Sequence, residues 1–269
     1  MAYFSPLRYP GGKGKMLKET IQILKNNNLL GCTYIEPFAG GGNLALNLLF
    51  KGFVQKIILN DADIAIYAVW YAILYHNDEF IDFIENIPLT LEEYKKQKYI
   101  YNHEKQDLLK LGKATFYLNR TNRSGIIKAG PIGGYEQKGA YLIDCRFNRE
   151  NLKNRVKKIH QNREHIEIFN LDAREFISKP FPKNSFFFID PPYYNKGASL
   201  YRNYFHHKDH VEISQLVKNL DFPWVVTYDA VPEIINIYNF SKHTEYELSY
   251  TVESKRLGKE VMFYNKITF

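Results

Sequence analysis

Sulfur is scarce in this chain of 269 residues, which has two cysteines and three methionines. Cys32 and Cys145 are far apart and fit no metal-ligand spacing, so a disulfide scaffold and a zinc finger are both excluded. Reduced thiols in a cytoplasmic protein are the expectation. There is no run long and apolar enough to span a bilayer, and residues 1–10 lack the apolar core of a secretory signal. Internal repeats and low-complexity tracts are missing as well. What is present is ample material for a core: 45% of the residues are hydrophobic, and the length suits one domain carrying an insertion.

The most informative segment is Asp190-Pro191-Pro192-Tyr193, directly after the apolar run Ser185-Phe186-Phe187-Phe188-Ile189. Such a run reads as a buried strand of a parallel sheet, and two prolines after it can neither extend a ladder nor start ordinary helical bonding. A turn of this kind holds its carbonyls and Asp190 in fixed directions. An exocyclic amine on a nucleobase is a poor nucleophile, because its lone pair is delocalised into the ring. If Asp190 accepts one N–H, the Pro191 carbonyl accepts the other and Tyr193 stacks on the base, the nitrogen becomes pyramidal and is aimed at a methyl donor. That is catalysis by positioning and electrostatics. The plainer reading of the same residues is a strand-ending turn with an exposed acid and ring.

A second motif runs from Thr33-Tyr34-Ile35-Glu36-Pro37-Phe38 through Ala39-Gly40-Gly41-Gly42-Asn43 into the helical pattern 44–49. Strand, glycine loop and helix follow one another, so a ligand can approach the backbone and meet the unpaired N–H groups of a helix start. The wording is neither Gly-x-Gly-x-x-Gly nor the Gly-Lys-Ser/Thr ending of a phosphate-binding loop. The next strand, residues 56–60, ends at Asp61, where an acid can bind ribose hydroxyls of an adenosine-containing cofactor or cap the helix that begins near Ile64. Upstream, Arg8-Tyr9-Pro10-Gly11-Gly12-Lys13-Gly14-Lys15 is a cationic turn suited to a carboxylate or phosphate.

Together these motifs resemble the N6-adenine DNA methyltransferases of the DNA adenine methylase family, the D12 class. The resemblance rests on Tyr9-Pro10-Gly11-Gly12-Lys13, Glu36 to Gly42, Leu59-Asn60-Asp61 and Asp190 to Tyr193, and it covers most of the chain. It implies S-adenosyl-L-methionine as cofactor, with S-adenosyl-L-homocysteine as product. The implied cofactor positions are Tyr9, Lys13, Glu36, Pro37, Phe38, Gly40, Gly42, Asp61 and Asp190, with the Pro37 to Gly42 loop beneath the methionine moiety. Asp172, after the strand 166–169, is similar to the family's acid near the adenine of the cofactor; it also reads as the N-cap of the helix 173–178. The catalytic positions implied are Asp190, Pro191, Pro192 and Tyr193. The substrate implied is double-stranded DNA with the target adenine flipped out of the stack. A cognate restriction endonuclease is an implied partner, and a monomer is expected, with a dimer on DNA as the alternative.

The net charge of +7 points to a polyanionic partner, and its distribution sharpens the point. Residues 119–163 hold eleven Lys and Arg against three acids, a net of +8 that leaves the rest of the chain near −1. Arg120, Asn122, Arg123, Lys128, Tyr135, Lys138, Lys157 and Lys158 are the expected DNA contacts, being side chains able to reach phosphates or base edges. A solvated basic face is the alternative for any single lysine. Asn119-Arg120-Thr121-Asn122 resembles the family's segment just ahead of its recognition hairpin.

The fold expected is α/β: a doubly wound, mainly parallel sheet of the Rossmann-like methyltransferase type, with an antiparallel C-terminal hairpin and an inserted, mainly helical DNA-recognition domain. The divisions are 1–70 and 164–269 for the catalytic domain and 71–163 for the insertion. Within the insertion, helical patterns cover 63–76, 78–86 and 91–110, the last opened by Thr90 as N-cap. The glycine-rich stretch 123–135 leads to Tyr141-Leu142-Ile143 as a loop or β-hairpin. The C-terminal hairpin is expected to turn around Leu257-Gly258-Lys259. The loop 194–207, with Tyr194, Lys196, Tyr201, Arg202, Tyr204, His206 and His207, suits closure over a base and its phosphates. Its histidines lack a spaced third ligand, so no metal is expected. Other readings are the same chemistry on N4 of cytosine or on RNA adenine, a DNA-binding relic without activity, and a nucleotide-dependent oxidoreductase built on the glycine loop.

Overall fold

The structure is a computed structural model that describes residues 3–8, 16–195, 205–251 and 255–268. The strands are β1 (Thr33–Glu36), β2 (Lys56–Asn60), β3 (Ile166–Phe169), β4 (Ser185–Ile189), β5 (Trp224–Asp229), β6 (Lys242–Thr251) and β7 (Lys255–Asn265). They form one sheet in the order β3-β2-β1-β4-β5-β7-β6. β1 lies parallel to β2 and β4, and β4 parallel to β5, while β7 is antiparallel to both β5 and β6. This is the doubly wound, Rossmann-like α/β fold with an antiparallel C-terminal hairpin. From β1 the chain builds outward in one direction through β2 and β3, then returns to lay β4 on the other side. In such a sheet ligands bind outside the carboxyl ends of the strands at that reversal, here between β1 and β4.

The chain divides into two compact units, one made of Met1–Gly12 and Ile64–Ile168, the other of Lys13–Asp63 and Phe169–Phe269. In the second, β4 is buried along its whole length, as a strand covered on both faces must be. Phe187 and Ile189 pack with Ile35, Phe176, Ile213, Trp224 and Phe263 in its main apolar cluster. Helices α1 (Leu17–Asn26), α2 (Asn43–Phe50), α8 (Ala173–Ile177), α9 (His207–Lys218) and α10 (Pro232–Ile237) belong to this unit.

The first unit is helical: α3 (Ile64–Tyr75), α4 (Asn77–Asn86), α5 (Leu91–His103), α6 (Leu108–Thr121) and α7 (Arg149–Gln161). Thr90 caps α5 as expected, its side chain accepting from the Glu93 N–H. The pattern 91–110 is nevertheless two helices, because Asp107 takes the Lys110 N–H and starts α6 anew. α3 and α6 touch so closely that a Cβ on Gly112 would lie 2.3 Å from the Ala68 carbonyl oxygen.

Of the two forms expected for the stretch 123–135, the structure takes the loop, with one 3-10 turn at Arg123–Gly125 and an isolated bridge between Asn122 and Pro131. One further expectation changes. The C-terminal hairpin pairs out to Thr251 and Lys255, so Gly258 lies inside β7 opposite Leu248 and not at the tip. By compactness, residues 1–12 and 64–70 group with the helices.

Candidate active site

The sheet unit brings the carboxyl ends of β1, β2, β4 and β5 to one side, and the side chains there are tied to one another. After β1, Gly40 and Gly42 take left-handed backbone at φ 51 and 57, the second of them as N-cap of α2. Asp61, just past β2, accepts the Gly40 N–H at 2.9 Å through Oδ2 and the Asp63 N–H at 2.9 Å through Oδ1. One carboxylate thus braces the glycine loop and forms the turn that leads to α3. Asn60, buried at the end of β2, donates to the carbonyls of Pro37 at 2.9 Å and Leu171 at 3.1 Å and accepts from the Leu171 N–H at 3.0 Å. Its amide clamps the loops after β1 and β3.

β4 stops where the prolines begin. Pro191 and Pro192 have no N–H, so the first bonds of the turn fall further on: Tyr194 and Asn195 donate their backbone N–H groups to the two oxygens of Asp229, at 2.9 and 3.1 Å. Asp190 accepts the Thr227 hydroxyl at 2.6 Å. Tyr193 donates its hydroxyl to Glu260 Oε1 at 2.8 Å, and Tyr246 donates to Oε2 at 2.9 Å. Burial, Asp190 and Glu260 together push the Tyr193 phenol far above its ordinary value, so it is a neutral donor. Thr227 and Asp229 stand on β5, Glu260 on β7 and Tyr246 on β6. Sequence reasoning missed all four, and Asn60 was noted only within a motif. A signal existed in part, since Thr227, Asp229 and Glu260 are polar residues at or beside apolar strand runs.

The site is acidic. Glu36 is fully buried and accepts the Tyr34 hydroxyl at 2.7 Å. Desolvation, then Glu36 and Asp190, drive the Tyr34 phenol well above its ordinary value. Asp229 and Glu260 are buried register partners across β5 and β7. Carboxylates at strand ends, beside glycines that admit a ligand to the backbone, fit a cationic sulfonium with an adenosine attached.

Asp172 caps α8 by accepting the Arg174 N–H at 2.8 Å, and Arg174 binds both of its oxygens at 2.7 Å. Arg174 also reaches Asp209 at 3.0 Å and Glu212 at 2.7 Å on α9, and its side-chain bonds hold the Asp172 carboxyl below its usual value. Tyr9 and Lys13 lie outside the described residues, as do Lys196, Tyr201, Arg202 and Tyr204. Cys32 is no nucleophile candidate here, because it is buried and its thiol is pushed up to about 12 by desolvation.

In the helical unit the expected DNA contacts separate into two groups. Arg123, Lys128, Tyr135, Lys138 and Lys157 are exposed. The Arg123 guanidinium and the Tyr135 ring both flank Gly130, and Lys98 donates to the Tyr135 hydroxyl at 3.5 Å. Asn122, in contrast, is fully buried and donates to the carbonyls of Ile126 and Ile127, both at 2.9 Å. Arg120 donates to the Arg146 carbonyl, and Lys158 stands 4.5 Å over the Phe4 ring. Neighbouring Asn119 is used in the same way, accepting from the Arg8 N–H and donating to the carbonyls of Arg8 and Gly125 at 2.8 to 2.9 Å. Asn122 and Arg120 are thus bonded to backbone carbonyls of this unit in the structure.

The sequence pattern of the D12 class N6 adenine-specific DNA methyltransferases matches residues 9–252. The Type II methyltransferase M.MjaIII of Methanocaldococcus jannaschii is 28% identical over 236 residues, which is 80% of this chain and 79% of that protein. The Type II methyltransferase M.CviBI of Paramecium bursaria Chlorella virus NC1A is 24% identical over 264 residues, 95% of each chain. The modification methylase StsI of Streptococcus sanguinis is 25% identical over 219 residues, 72% of this chain and 30% of that longer protein.

Proposed function

This chain belongs to the D12 class N6 adenine-specific DNA methyltransferase family, and from that membership we propose that it transfers a methyl group from S-adenosylmethionine to N6 of an adenine flipped out of double-stranded DNA. The observation that carries the reading is the braced Asp190–Tyr193 turn at the end of buried β4. S-adenosylmethionine, when bound, supplies a methyl on a positive sulfonium that leaves as a neutral thioether, chemistry that needs no metal. The Pro37–Gly42 loop, Asp61 and Asp172 would hold it, with Arg174 yielding some of its hold on Asp172.

Asp190 accepts one N–H of the target amine and the Pro191 carbonyl the other, which localises the nitrogen lone pair. Thr227 keeps the Asp190 carboxylate from rotating away. Tyr193 stacks on the base, its hydroxyl anchored on Glu260. Asp190 would take up the surplus proton of the methylated amine and pass it on to solvent. No covalent enzyme intermediate forms. Exposed Arg123, Lys128, Lys138 and Lys157 would contact phosphates, with Tyr135 beside them. Among the described residues no helix is long and apolar enough to cross a membrane. The Type II relatives support a cognate restriction endonuclease as partner.

The test is sequencing of modified bases in genomic DNA from a methylation-free bacterial host expressing the chain, beside one expressing Asp190→Ala. N6-methyladenine at one short motif, lost in the variant, is the expected result. Methylcytosine at N4, modified RNA, or no modification with soluble protein present would each reject it in favour of another substrate or a silent binder.

A further inference from the structure

Glu260 is out of keeping with its strand. It is 2% exposed and is followed by buried Val261, Met262 and Phe263. An apolar residue there would avoid the cost of taking a carboxylate out of water, a cost that ion–hydrogen-bond geometry recovers only in part. The charge is held by two phenols, Tyr193 and Tyr246, one on each oxygen. Tyr246 is also its register partner on β6, and Asp229 its partner on β5. The antiparallel hairpin therefore reaches the catalytic turn through Glu260.

Two physical consequences follow. A ring anchored at its hydroxyl as well as at Cβ cannot swing, so the plane on which a base stacks is fixed before substrate arrives. A phenol donating to a carboxylate also carries more electron density in its ring, and such a face attracts positive charge more strongly. During methyl transfer the amine nitrogen becomes positive.

We propose that Glu260 is a positioning residue of the methyl-transfer site, acting through the Tyr193 hydroxyl to fix the stacking plane and to favour positive charge developing on the target nitrogen. This rests on the reading of Asp190–Tyr193 as the turn that orients an exocyclic amine.

The experiment compares wild type with Glu260→Gln, Tyr193→Phe, Tyr246→Phe and the Glu260→Gln/Tyr193→Phe double variant. Readouts are single-turnover methylation of duplex DNA, S-adenosylmethionine affinity, thermal unfolding, and the tyrosine Cζ resonance that disappears in Tyr193→Phe. Glu260→Gln and Tyr193→Phe should each slow transfer roughly tenfold, the size of one charge-assisted hydrogen bond, with cofactor affinity within about twofold. The double variant should be no slower than the slower single one, Tyr246→Phe should cost less, and the Tyr193 resonance should shift in Glu260→Gln. Losses that multiply in the double variant, or a lowered melting temperature with unchanged transfer, would make Glu260 a structural residue and overturn the proposal. Should Glu260→Gln not fold, Tyr193→Phe decides alone: it keeps the ring, so an unchanged rate rejects the idea. If wild type methylates no nucleic acid, the functional reading fails and the catalytic part of this proposal with it. The Cζ shift then judges the Glu260–Tyr193 link by itself.

Discussion

The two compact units use the same kinds of polar side chain in opposite ways. At the strand ends of the sheet unit stand Asp61, Asp190 and Tyr193, while Asn60, Thr227, Asp229 and Glu260 hold the surrounding loops and side chains in place. In the helical unit several residues of the kinds that reach a nucleic acid are instead turned inward, while Arg123, Lys128, Lys138 and Lys157 stay exposed. Asn119 and Asn122 satisfy loop backbone, Arg149 donates to the carbonyls of Ile84 and Ile87 at the end of α4, and Arg155 donates to the Ser5 carbonyl. Lys153 pairs with Glu85 and Glu150. The reason is architectural. A sheet satisfies its backbone by its ladder and leaves side chains at its rim for chemistry. A loop such as 122–148, with one isolated bridge, must find partners for its carbonyls among neighbouring amides and guanidiniums. Counting charge along the chain therefore overstates the surface offered to DNA.

The sharpest way to break this contrast is Asp190→Ala. Transfer should fall by about a thousandfold or more, with melting temperature and DNA affinity retained; a single-turnover assay beside thermal unfolding checks both. Next is His210, a buried polar group in the sheet unit. Its Nδ1 lies 2.9 Å from the Tyr228 hydroxyl, its ring lies against Tyr194 and Phe205, and burial lowers its pKa to about 4. Between its unfolded value of about 6.5 and that folded value, the unfolded chain binds a proton that the folded chain does not. Stability should therefore be lost as pH falls through that window, by on the order of 3 kcal/mol from this group. Urea unfolding at pH 7 and at pH 4.5 should differ less in His210→Gln than in wild type.

In the helical unit, Asn119→Ala should cost roughly 1–3 kcal/mol of stability, because it strands buried backbone groups of Arg8 and Gly125. The salt dependence of DNA binding should not change. Should the cost fall on DNA binding with stability intact, Asn119 would be a contact and the contrast would be wrong. Arg123→Ala gives the smallest effect on folding, within about 0.5 kcal/mol. It should weaken DNA binding and reduce the slope of log affinity against log salt by about 0.9 if it neutralises one phosphate.

Much of the sheet was legible. The run 185–189 ending in two prolines announced β4 and its turn, and the glycine loop announced the start of α2, because both are local events set by residues next to each other. Other features misled for the same reason. Gly258-Lys259 has the composition of a turn, yet it pairs inside β7, since strand register is settled by partners on β6 and β5. The segment 91–110 keeps helical composition throughout, so the break at Asp107 was hidden. Asn119 and Asn122 look alike whether they are buried or exposed; their partners decide, and Arg8 is 111 residues from Asn119.

What the sequence by itself determined is the class of fold, the order of its motifs and the turn Asp190–Tyr193, all written in short runs of hydrophobicity, glycine and proline. Tertiary structure alone decided which polar groups support that turn and which bases remain exposed. Tyr193 and Glu260 are 67 residues apart and meet only when β4 and β7 flank β5 in one sheet. Hydrogen bonds depend on distance in space, and no local pattern in a chain encodes that distance.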